Sequence, residues 1–162
     1  MFDFSIDFST ILSFDNILAQ LNLVQGVFFG IVLITLSSKK NKYYLGLFLF
    51  FWGISFTSGI LSQQDFFAEN IFLIFLPFNF YFLYFPLLYL YIKELTGTYD
   101  FEKDKKHLIP GLLEFVLFLG LFITFFDENY QLDQSTSYFI SCYHIASILF
   151  GIYYLIKMLL LI

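Results

Sequence analysis

The chain has no arginine. Its cations are 8 lysines set against 13 acidic residues, for a net charge of −5. With no guanidinium forks and no basic patch, these residues cannot neutralise a phosphate backbone, so no direct nucleic-acid binding is expected of them. The single cysteine, Cys142, excludes an internal disulfide and a cysteine-cluster metal site. The two histidines, His107 and His144, do not form an HExxH pattern. There is also no Walker loop, no GxGxxG and no paired acidic motif of isoprenoid transfer. The expectation is therefore no cofactor, no metal and no catalytic residue. The N-terminus lacks the basic n-region of a signal peptide. Charged residues make up 13% of the chain, about half of ordinary globular usage.

What is present is apolar. Hydrophobic residues make up 59% of the chain, and 26 Phe with 12 Tyr exceed what a small water-soluble core can bury. The stretch from Pro77 to Leu95, PFNFYFLYFPLLYLYIKEL, sets the pattern. It carries one polar side chain of weight, Asn79, before Lys93 and Glu94 end it. A helix without a polar face needs apolar surroundings. The other apolar runs are alike, and a span of about 20 residues matches the ~30 Å hydrocarbon core of a bilayer.

The expected fold is an all-α integral membrane helical bundle of about five transmembrane helices, at 17–36, 43–61, 71–92, 108–126 and 138–156. Residues 1–16 are expected to form a non-cytoplasmic N-terminal segment whose Phe residues dip into the headgroups, with Asp15 or Asn16 capping the first helix. Gly26 and Gly30, four apart, allow close helix approach. Pro110 falls in the first turn of its helix, where a missing N–H costs least. With five spans, Lys39, Lys40, Lys42, Lys93, Lys103, Lys105, Lys106 and Lys157 share one side. Asp3, Asp7, Asp15, Asp65, Glu69, Asp127, Glu128 and Asp133 share the other. The positive-inside rule then places the N-terminus outside and the C-terminus in the cytoplasm. Tyr43, Tyr44, Tyr89, Tyr91, Tyr153 and Tyr154 are expected to line the cytoplasmic interface as an aromatic belt, with Trp52 packing at mid-span. The apolar run up to Ile162 reads as a truncated chain or the start of something longer.

A few residues could carry chemistry or signalling. Glu114 is the one acid within a span, and acids at membrane depth mark function by default. The bland alternative is a protonated or snorkelling side chain bonded to a freed backbone group; on it, Glu114→Gln keeps function. His107 reads as an interfacial residue. His144, near Ser141, Cys142 and Ser147, reads as an interhelical hydrogen-bonding group, and Asn79 and Gln25 as polar links between helices. Cys142 and His144 are two apart and face different ways on a helix, which argues against a nucleophile pair. Pro86 frees the Phe82 carbonyl and can bend the third helix, as a hinge or as a plain structural kink.

The order of features resembles a known family. Leu23-Val24-Gln25-Gly26-Val27-Phe28-Phe29-Gly30 opens the first span, and Lys39-Lys40-Asn41-Lys42 leads into Leu45-Gly46-Leu47. Then follow Pro77-Phe78, Phe85-Pro86-Leu87-Leu88-Tyr89-Leu90-Tyr91-Ile92 and, after a polar loop, Asp104-Lys105-Lys106-His107-Leu108-Ile109-Pro110. This is similar to the N-terminal membrane region of multi-pass AraC-type helix-turn-helix transcription regulators of Bacteroidetes. The motifs cover Leu21 to Pro110, and the remainder agrees by pattern only. The resemblance implies a signal-sensing input region in the bacterial inner (cytoplasmic) membrane. The DNA-binding domain of such regulators has no counterpart in these residues. The partners implied are the lipid bilayer, a homodimer mate and a signal molecule that the sequence does not identify. Two other classes fit the composition: a small membrane enzyme using Glu114 with His107 or His144, and a transporter half that must dimerise.

Overall fold

Hydrocarbon offers no partner to a backbone amide, so an apolar run inserted there closes its own hydrogen bonds as a helix. The computed structural model describes residues 14–36, 40–62, 75–76, 78–125 and 134–162, and these are all-α. Helix α1 is Phe14–Leu36, α2 is Lys40–Ser62 and α3 is Tyr81–Leu95. A short α4, Phe101–Asp104, runs into a 3-10 turn at Lys105–Leu108; α5 is Ile109–Phe125 and α6 is Gln134–Leu159. Residues 1–13, 37–39, 63–74, 77 and 126–133 lie outside the described residues, so the expectations placed on them have no structural counterpart.

Four helical stretches are long and apolar enough to cross a membrane: Asn16–Leu36, Lys42–Leu61, Phe101–Phe125 and Thr136–Leu159. Only 11–17% of their apolar windows is buried within the protein, so most of that surface requires lipid. The expected first, second, fourth and fifth spans are recovered. The first helix starts at Phe14, which puts Asn16 inside its first turn and not at its cap.

The third differs. A helix over 71–92 was expected, but α3 begins at Tyr81 and has 15 residues. At 1.5 Å per residue that is about 22 Å, short of a ~30 Å core. Leu76 is a bend, as the residue before a proline tends to be. Asn79 and Phe80 are also outside the helix, Phe80 with φ −117° and ψ 50°.

This shorter helix is the inner one. Tyr84, Pro86, Leu87, Tyr89 and Leu90 are buried, with Leu87 at 1% and Leu90 at 0% exposure. They form a core with Tyr44 of α2 and with Tyr154 and Met158 of α6. On the outer side, α1 and α2 pack antiparallel through small residues. A Cβ built on Gly26 would lie 2.7 Å from the Gly53 Cα, and one on Gly30 would lie 2.7 Å from Phe50. The expected close approach at Gly26 and Gly30 is thus made within the chain, by α2. Gly59 and Gly120 have open space where a Cβ would go.

Candidate functional site

Helix α3 starts beside other helices without a cap of its own. Its N-cap position is Phe80, whose side chain has no oxygen to offer the first N–H groups. The cap comes from α5. Glu114 is buried there, and its Oε1 accepts from the Tyr81 N–H at 3.0 Å while Oε2 accepts from the Phe82 N–H at 3.0 Å. The Tyr143 hydroxyl of α6 donates to the same Oε1. The next N–H, of Leu83, bonds the Phe80 carbonyl at 2.9 Å, so every amide of the first turn has an acceptor. All three groups on Glu114 are donors, which suits an acceptor-only carboxylate. They also place it at the positive end of the helix dipole. One side chain thereby joins α3, α5 and α6.

The opposite end of α3 is held as firmly. Lys93, in its last turn, donates to both oxygens of Asp104 at 2.7 Å; Asp104 is buried and the Lys93 side chain is 14% exposed, which makes this a partly buried ion pair. Asp104 also accepts from the Asp100 N–H at 2.9 Å. His107 Nε2 lies 3.9 Å from Asp104, and its Nδ1 lies 2.7 Å from the Tyr154 hydroxyl of α6. Tyr89 meets the His107 and Tyr154 rings edge-on at 5.1 and 5.5 Å, and Lys157 sits over Tyr89 at 5.5 Å. The chain reverses at Gly97, whose φ of 70° suits a residue without a Cβ. The half-exposed N-cap of α4, Asp100, has its carboxyl held below the usual range by its bond to Lys103 at 3.1 Å.

The remaining residues singled out from the sequence fall around these two clusters. Asn79 accepts from Ser58 of α2 at 3.2 Å, tying α2 to the chain just before α3. Pro86 is buried inside α3. His144 is exposed on α6, edge-on to Tyr81 at 5.8 Å, and Ser147 donates to its backbone carbonyl, not to its ring. Gln25 and Cys142 are exposed on α1 and α6. Among the described residues, neither histidine is hydrogen-bonded to Glu114, and no three metal-ligating side chains converge.

The tyrosines divide in a way the belt expectation does not anticipate. Tyr43 and Tyr153 are exposed, but Tyr44, Tyr89 and Tyr154 are buried. Tyr44 shares a hydroxyl–hydroxyl bond with Tyr99, and Tyr154 bonds His107. A buried Tyr keeps a polar tip that needs a partner, and these tips find theirs inside the bundle. Sequence reading also missed Lys93 with Asp104, and Tyr143 with Glu114. The partners are 11 and 29 residues apart on different elements, beyond the i,i+3 and i,i+4 reach of a single helix. The one available signal was that a lone acid in an apolar span needs donors.

Comparisons with protein-family models, curated proteins and solved structures give no match for this chain.

Proposed function

We propose that these residues form the membrane-embedded signal-input region of an AraC-type transcription regulator, working by helix packing and not by catalysis. In this reading the chain crosses the bacterial inner membrane five times, with its N-terminus outside and its C-terminus cytoplasmic. The observation that carries the proposal is the two-ended tether on α3. Glu114 holds one end, and Asp104 with His107 holds the other. A short inner helix fixed by polar groups from its neighbours is an element that can shift as a unit between two arrangements. His107, part of the Lys106-His107-Leu108-Ile109-Pro110 run in the family resemblance, contributes to the second tether. The saturation of Glu114 by three donors favours this reading over an acid–base enzyme, because that carboxylate is already committed to structure.

The test is transcriptional. Deleting the gene should change a narrow set of transcripts, and returning the intact gene should restore them. Pro86→Ala gives the Phe82 carbonyl a backbone donor. It should shift that output, normalised to folded protein, with membrane insertion unchanged. No transcript change on deletion, or an unchanged response from Pro86→Ala, counts against α3 as the signalling element.

A further inference from the structure

Between α2 and α5, beside α3, lies an apolar groove of about 520 Å³. Leu83 and Gly111 line it. Rings line it as well: Phe80 lies 4.6 Å from Phe51 and stacks with Phe115 at 6.3 Å. One end is bordered by Lys105 and Leu108. From Leu108 to Phe115 the α5 backbone rises about 10 Å. We propose that this groove is a lipid site that takes one acyl chain of an anionic glycerophospholipid, with the phosphate at Lys105.

Three features select that occupant. The volume falls in the range of small-ligand pockets. The lining is apolar except at the Lys105 end. That end belongs to the charged turn preceding the apolar α5 run, which is where headgroups sit whichever way the chain is inserted. The charge is complementary as well. The Lys105 ammonium is half exposed, and its partner Glu102, at 2.5 Å, is 75% exposed. Such a solvated pair is weak and leaves the ammonium open to a phosphate. Lys106, next in the same turn, is exposed and has no acidic partner among the described residues.

Native mass spectrometry of the full chain in a neutral detergent tests this. Phosphatidylglycerol and phosphatidylcholine with the same acyl chains are offered together. One phosphatidylglycerol should be retained per chain in preference to phosphatidylcholine. Lys105→Gln should cut that preference about five-fold, the effect of one lysine near an anionic surface. Leu112, 63% exposed along the groove, allows an independent variant: Leu112→Trp should fill the space and remove the bound lipid. Lys103→Gln removes a cation that is 81% exposed and does not line the groove, and it should leave the preference unchanged. Equal retention of both lipids would overturn the site. So would equal losses from Lys103→Gln and Lys105→Gln, or a lipid that survives Leu112→Trp.

Discussion

Removing the Glu114 carboxylate leaves the partly buried Tyr81 and Phe82 N–H groups without that acceptor. An unsatisfied buried donor costs about 1–3 kcal/mol, so Glu114→Ala should lower stability by several kcal/mol. Tyr143→Phe removes one donor and leaves both amides served, for a loss of about 1 kcal/mol. Glu114→Gln lies between them, because its NH2 group faces an N–H where an oxygen stood. The sequence reading expected this last change to keep function; the capping geometry adds an expected loss of stability. Thermal unfolding in detergent, followed by helical circular dichroism, gives the order. A Glu114→Ala protein as stable as its parent would remove the capping role.

The elements are fixed by two kinds of contact, each with its own test. Where α1 meets α2, backbone touches backbone, so Gly26→Ala must push the helices apart at Gly53. Overpacking of that kind costs about 1–3 kcal/mol. Gly120→Ala meets open space and gains up to about 1 kcal/mol of helix propensity. Melting temperatures of the two variants should therefore move in opposite directions; equal shifts would show that the α1–α2 contact is loose. Where α3 meets the α4 turn, the contact is ionic. Asp104→Ala leaves the Lys93 charge unpaired in a partly buried site, at a cost above the ~1 kcal/mol of an exposed pair and below the ~3–5 kcal/mol of a fully buried one. That loss should be accompanied by faster proteolysis of the 96–104 connection. Stability within about 1 kcal/mol of the parent would place the pair in water.

At the scale of the molecule, the bundle has a held interior and a lipid-facing exterior. The long helices keep most of their apolar surface outward, and α3 is wrapped by α2, α5 and α6. The proposed five-pass arrangement predicts that reporter fusions after Lys42 and Lys106 read as cytoplasmic. Fusions after Asn70 and Ser137 should read as the opposite side, following the lysine asymmetry. A cytoplasmic reading at Ser137 would mean that α3, at 15 residues, enters the membrane without crossing it.

Hydrophobic length alone determined four of the helices, because a run near 20 apolar residues has one satisfactory backbone state in hydrocarbon. The same logic marked Glu114 as exceptional and Gly26 with Gly30 as a packing surface. Sequence could not give the start of α3. The run 71–92 is apolar apart from Asn79, and it is Glu114 from α5 that satisfies the Tyr81 and Phe82 amides in the first turn. Nor could it show that Tyr44, Tyr89 and Tyr154 turn inward, since a tyrosine near a membrane surface reads alike whether its hydroxyl meets water or a neighbour. Tertiary structure decided those points because each rests on a hydrogen bond or a ring contact between helices distant in sequence. Periodicity describes the faces of a single helix and carries no information about which group of another helix will meet them.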